Sequence, residues 1–201
     1  MRLMSASAVL SRSWSCRLAL LFFLVSPTLA VTPTWIWANP RPSGNNFVDL
    51  AYKNGLYVLV AEHGQLYTSF DLNFWERRDA HTTNALRAAT FLGSRIIITG
   101  EQGVALYGDS PTNLNLVDLG TSDWLESVAA SADQLVAVGD NAAIYTSLNG
   151  VNWERQSAPF TDWLRGVAYG NNLFVTVGEN GRIATSSNGS DWKIRQSGTT
   201  A

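Results

Sequence analysis

Trp163-Leu164-Arg165-Gly166-Val167-Ala168 repeats Trp124-Leu125-Glu126-Ser127-Val128-Ala129 at an offset of 39 residues. The same offset carries Gly139-Asp140-Asn141 onto Gly178-Glu179-Asn180, Thr146-Ser147-Leu148-Asn149-Gly150 onto Thr185-Ser186-Ser187-Asn188-Gly189, and Trp153 onto Trp192. Two offsets upstream, Thr68-Ser69, Asp71 and Trp75 stand where Thr146-Ser147, Asn149 and Trp153 stand later. Gly100-Glu101-Gln102 lies one offset before Gly139-Asp140-Asn141. The chain therefore divides into four copies, about 43–80, 81–120, 121–159 and 160–198, of which the second has lost its tail. A fixed period of this length is the mark of a repeat architecture.

Each copy reads as strands. In the fourth, Leu164 to Tyr169 is followed by a turn at Gly170-Asn171-Asn172, a β-rich run from Leu173 to Val177, and the hairpin signal Gly178-Glu179-Asn180-Gly181. Asn-Gly tolerates the positive φ that such hairpins demand. Arg182 to Ser186 returns, Asn188-Gly189 turns, and Trp192 to Gln196 makes a fourth strand. The second strands, Tyr57 to Val60, Ile96 to Thr99, Leu135 to Val138 and Leu173 to Val177, are apolar on both faces. A sheet with one wet side alternates instead. Sheets buried between neighbours need this pattern, so the expected fold is all-β, a propeller with four recognisable four-stranded blades.

Ser147-Leu148-Asn149-Gly150-Val151-Asn152-Trp153 and Ser186-Ser187-Asn188-Gly189-Ser190-Asp191-Trp192 resemble a shortened Asp-box, the BNR repeat. Ser69-Phe70-Asp71-Leu72-Asn73-Phe74-Trp75 is a third example with Leu in place of Gly. Across residues 35–198 the repeat is similar to the propellers of the photosystem II assembly and stability factor family, and to sialidase-like repeats of large secreted bacterial proteins. Asn replaces Asp twice, and the Ser-to-Trp spacing is one residue shorter than in the sialidase motif. The resemblance implies the fold and leaves the function open. The box residues Ser69, Asp71, Trp75, Ser147, Asn149, Gly150, Trp153, Ser186, Asn188, Gly189 and Trp192 are expected to be structural. The Asx side chain bonds its own backbone two residues on, Gly supplies the turn, and Trp buries a large ring.

Arg2, Arg12 and Arg17 precede the apolar run Leu18 to Val25, and Ser26-Pro27-Thr28-Leu29-Ala30 follows it. This is the build of a secretory signal peptide over residues 1–30, cleaved near Ala30, for a secreted or periplasmic protein. The run is far shorter than the ~20 residues of a membrane span, so no span is expected after cleavage. Cleavage removes three of the 14 basic residues and the one Cys, leaving 11 basic residues against 16 acidic ones. Disulfides and zinc–thiolate sites are then excluded, and packing must hold the domain. An acidic chain gives no field for phosphate backbones, which excludes a nucleic-acid partner.

Trp35-Ile36-Trp37-Ala38-Asn39-Pro40 resembles a fourth strand, so residues 31–44 are assigned as an N-terminal closing strand before the blades at 45–201. The fourth copy already has such a strand. The expectation is a larger ring of six to eight blades, truncated at the C-terminus, with open blade faces prone to self-association; the alternative is a four-bladed ring with a redundant strand.

Chemistry-bearing residues are few. His63 and His81 have no metal-ligand spacing, and His63 occupies the hairpin position of Gln102, Asn141 and Asn180. No catalytic residue, cofactor or metal is assigned. Arg87 and Arg165 share one repeat position and define a candidate anion- or partner-binding spot. Glu62, Glu101, Asp140 and Glu179 share another; they are expected as solvated turn residues that keep the hairpins soluble, and the functional alternative is an arc of negative charge along one rim that attracts a cation or basic partner. The functional expectation is an exported, non-enzymatic scaffold for protein or glycan contacts. The alternatives are a sialidase-like glycoside hydrolase, with catalytic residues partly missing, and an assembly factor for a membrane complex.

Overall fold

The computed structural model describes residues 45–200, and in it each copy is one antiparallel meander of four strands. The first sheet is β1 (Phe47–Lys53), β2 (Leu56–Ala61), β3 (Leu66–Ser69) and β4 (Glu76–Arg78). The second is β5 (Leu86–Leu92), β6 (Arg95–Gly100), β7 (Val104–Ser110) and β8 (Asn113–Asp118). β9 (Leu125–Ala130), β10 (Leu135–Gly139), β11 (Ile144–Ser147) and β12 (Glu154–Arg155) form the third. β13 (Leu164–Gly170), β14 (Leu173–Gly178), β15 (Ile183–Ser186) and β16 (Lys193–Arg195) form the fourth. The signal segment 1–30 and the closing strand at 31–44 lie outside the described residues. Among the described residues no helix is long and apolar enough to cross a membrane.

Turn chemistry sets these meanders. The hairpins between second and third strands centre on His63-Gly64, Gln102-Gly103, Asn141-Ala142 and Asn180-Gly181, every one at positive φ. Gln65, Val104, Ala143 and Arg182 donate their backbone N–H to the carbonyls of Glu62, Glu101, Asp140 and Glu179, at 2.8–3.3 Å. Two consecutive residues at positive φ match the right-handed strand twist, so the chain reverses without splaying the strands. His63 is a turn residue here.

The loops between third and fourth strands are closed by side chains. The Asn149 side-chain oxygen accepts from the N–H groups of Val151 and Asn152, at 2.8 and 3.0 Å. Ser147 Oγ accepts from Gly150 N, and Trp153 Nε1 donates to the Gly150 carbonyl. Ser69, Asp71 and Trp75 repeat these bonds in the first sheet; in the fourth, Asn188 and Trp192 repeat the Asx and Trp bonds, and Ser186 Oγ accepts from Asn188 N. The second copy lacks these residues, yet it keeps its fourth strand: Ser110 pairs with Asn113 around a tight turn, and β8 runs beside β7. A shorter hairpin needs no Asx turn, so the loss of the motif does not cost the strand.

The sheets stack in chain order within one compact unit, with β1 packed on β5, β5 on β9, and β9 on β13. Successive side chains of a strand point to opposite faces. Ile96 and Ile98 of β6 join the core against the first sheet, whereas Ile97 joins the core against the third. Leu135 and Ala137 of β10 face the second sheet, and Val136 and Val138 face the fourth. All of these side chains are fully buried. Full burial of one such aliphatic side chain stabilises the fold by roughly 1.5–3 kcal/mol. Strands apolar on both faces follow directly from this arrangement. Four radially stacked four-stranded blades make this chain a β-propeller.

Candidate functional site

The start of each innermost strand carries a register skip. In β1 it falls between Phe47 and Asp49, in β5 between Leu86 and Ala88, and in β13 between Leu164 and Gly166. In the third sheet, Gly139 pairs with Leu125 and Val138 with Ser127. The residues left over are Val48, Arg87, Glu126 and Arg165. A bulge re-aims the side chain of its unpaired residue, and here it lifts this repeat position onto one rim of the propeller.

The carboxylate hairpins meet the same rim. Glu62, Glu101, Asp140 and Glu179 each donate a backbone N–H to the residue just before the innermost strand, namely the carbonyls of Asn46, Ala85, Trp124 and Trp163, at 2.9–3.2 Å. The backbone bond repeats in all four copies, so the four carboxylates share one place in the fold. Their side chains differ in partner. Glu62 accepts from Asn46 Nδ2 at 3.2 Å, and Asp140 accepts from Trp124 N at 2.7 Å. Glu101 pairs with Arg87, and Glu179 lies 2.5 Å from Arg165.

Glu126 joins the two arginines. Its carboxylate is 3.5 Å from Arg165 Nη1 and 3.9 Å from Arg87 Nε. The result is a chain of five charges, Glu101–Arg87–Glu126–Arg165–Glu179, crossing three blades. Arg87 and Arg165 are thus not an open basic spot, since three carboxylates bracket two guanidinium groups. Arg87 Nε is buried and makes no hydrogen bond; at 3.9 Å from Glu126 it gains Coulomb attraction only.

Two tryptophans flank this ladder. Arg165 lies 4.8 Å from the Trp163 ring centre and Arg87 lies 5.2 Å from that of Trp124, both within cation–π range. Trp124 and Trp163 remain more than a third exposed. Behind them Asp123 accepts from Tyr145 Oη at 2.9 Å, and Asp162 accepts from Asn180 Nδ2 at 2.9 Å and Arg182 Nε at 2.7 Å. The Asn180 amide, and then the Arg182 guanidinium, hold the Asp162 carboxyl below its ordinary value. Burial raises the Tyr145 phenol above its own. These bonds tie the residue before each tryptophan to its own sheet.

The tryptophans escape a reading by chemistry-bearing residue types, although Asp-Trp-Leu recurs at 123–125 and 162–164 and carried the signal. Among the described residues no group of three or more His, Cys, Asp and Glu could hold a metal ion. A cleft of about 440 Å³ beside the first hairpin is lined by His63, Arg77, Arg78 and Asp79, but Arg78 is paired with Glu76 and Asp79 lies 3.4 Å from His81.

No protein-family profile matches the chain. The curated proteins yield no match either. Solved structures do match. YCF48 from Cyanidioschyzon merolae aligns over 78% of this chain and 57% of its own at 20% identity, with a TM-score of 0.60. YCF48 bound to D1 peptide aligns over 76% of this chain and 53% of its own at 18% identity, TM-score 0.58. The computationally designed Ika4 protein aligns over 77% of this chain and 98% of its own at 15% identity, TM-score 0.63. At these identities the likeness is one of fold, and the chain spans just over half the length of the two YCF48 chains.

Proposed function

We propose that this protein is an exported, non-enzymatic propeller that binds a protein segment across the rim of Trp124, Trp163 and the Arg87–Glu126–Arg165 ladder. One observation carries the reading: two exposed indoles, each held beside an arginine, on a rigid rim of bulged strands. Trp and Arg are enriched at the energetic centres of protein interfaces; Trp presents a large contact area at little conformational cost, and both arginines here are already held by carboxylates. Glu62 and Asp140, which carry no cationic partner among the described contacts, extend the rim with acidic positions suited to a Lys or Arg of the bound segment. A YCF48 propeller bound to a D1 peptide supports a peptide as the class of partner. The repeat loops with Ser, Asx and Trp are read as Asp-box turns with a structural role. Export rests on residues 1–30.

Selection of peptides from a displayed random library on the wild-type chain, with Trp124→Ala/Trp163→Ala as counter-bait, tests this. Enrichment of sequences that the double variant fails to retain supports the rim. Enrichment that is equal on both baits rejects it, and retention of oligosaccharides instead of peptides transfers the site to glycans.

A further inference from the structure

Among the described residues, the first and fourth sheets each have one face on which no other sheet packs, and several apolar side chains on these faces are exposed. On the fourth sheet, Val177 is 45% exposed, whereas Val60 and Val138, at the same repeat position, are 0% exposed. On the first sheet, Phe47 is 45% exposed, whereas Leu86 and Leu125 at its repeat position are 0% exposed. Within the described residues, β13 and β1 make no packing comparable to that between consecutive innermost strands.

We infer that a second copy of this chain covers these faces, the fourth sheet of each copy packing on the first sheet of the other to close a two-chain ring. Paired substitutions across the free faces support that occupant. At interior seams a residue of one innermost strand meets the next: Asp49 accepts from Ala89 N at 2.9 Å, and Ser127 accepts from Val167 N at 3.1 Å. The corresponding residues at the seam between second and third sheets are Ala88 and Val128. On the free faces they are Gly166 and Leu50. The smallest residue of the series stands opposite the largest, so the combined bulk of the pair stays nearly constant.

A second pair changes in concert. Arg95 donates to the Asn149 carbonyl and Gln134 to the Asn188 carbonyl, both at 3.0 Å, each reaching the box loop of the next sheet. Beside those loops stand Gly150 and Gly189, where a Cβ would lie 2.3 Å from Ile97 and 2.8 Å from Val136. On the free faces the polar donor becomes Leu173 and the glycine becomes Leu72, both exposed. The seam between first and second sheets has the same exchange, with Leu56 and Pro111 at these two positions. A polar reach opposite glycine is thus replaced on both sides at once by apolar groups.

Sedimentation velocity on the chain without residues 1–30 tests the seam. The wild type is expected at twice the mass of that one chain. Leu50→Asp and Val177→Asp, each spoiling one face, are expected at the single-chain mass. Their equimolar mixture retains one intact seam, the fourth sheet of the Leu50→Asp copy on the first sheet of the Val177→Asp copy, while both substitutions fall in the other seam, so a doubled mass held by that one seam is expected in the mixture and in neither variant alone. Gly166→Leu gives an independent check: the nearest atom to a Cβ there is Val177 Cγ2 at 3.4 Å, so the single chain accommodates it while the seam loses room for Leu50. It should also sediment as one chain. A wild type at single-chain mass overturns the inference, since the faces are then covered by other parts of the polypeptide or by none. A Val177→Asp chain that stays doubled, a mixture that stays single, or an open series of larger species overturns it as well.

Discussion

Glu126 stands 3.5 Å from Arg165 of the next blade, and its other oxygen faces Arg87 of the blade before at 3.9 Å. One carboxylate, mostly buried, therefore couples three blades through two guanidinium groups. All three residues occupy the bulge position of their innermost strands, which is why they meet on one rim.

Replacing Glu126 by Gln leaves two arginines facing each other without their shared counter-charge. The variant is expected to lose about 1 kcal/mol of stability at low salt, in line with partly exposed ion pairs. Urea unfolding followed by tryptophan fluorescence checks this. The deficit should shrink in 1 M salt, where screening shortens to about 3 Å.

Gly150 adopts φ +76, and a Cβ there would lie 2.3 Å from Ile97 Cδ1. Gly150→Ala combines a left-handed backbone penalty with crowding at the seam, so a loss of about 2 kcal/mol is expected. A thermal unfolding midpoint lowered by several degrees is the readout. An unchanged midpoint would mean that the second and third blades do not pack as described.

Asp71 accepts N–H bonds from Phe74 and Asn73, which hold its carboxyl below the ordinary value of 3.8. Such a group adds stability above its unfolded-state value, and that stability is lost as pH falls through the lower folded-state value. Asp162 follows the same sign, through Asn180 first and Arg182 second. Asp71→Asn, which restores the residue type of Asn149 and Asn188, should keep the turn but flatten the acid limb of the stability curve. Unfolding free energies between pH 6 and pH 2.5 compare the two. A wild type and variant with parallel acid limbs would contradict the role of the Asp71 carboxylate.

Much of this architecture was legible in the chain. Asn-Gly signals place hairpins, and strands apolar on both faces announce stacked sheets, because each rests on local backbone or packing chemistry. The shared place of Glu62, Glu101, Asp140 and Glu179 was legible as repeat positions. The bulge at Val48, Arg87, Glu126 and Arg165 was not, since a one-residue register skip leaves no mark in composition. Glu126 holds the repeat position of Arg87 and Arg165 in the copy between them, but only the fold shows its carboxylate paired with both guanidinium groups. The fourth strand of the second blade was hidden because its short hairpin dispenses with the Ser-Asx-Trp loop that marks the others. Trp124 and Trp163 read only as markers of the repeat; that their part-exposed rings stand beside arginines is visible in the fold alone.

The most direct test of the binding rim is the affinity of one selected peptide, measured by titration calorimetry against the wild-type chain and against Trp124→Ala/Trp163→Ala. Two exposed aromatic anchors of interface quality contribute roughly 1.4 kcal/mol or more together, which is at least tenfold in Kd. The account predicts a Kd weakened by that factor or more, with the double variant still folded by circular dichroism. An unchanged Kd would contradict it and move the function to another surface of the propeller.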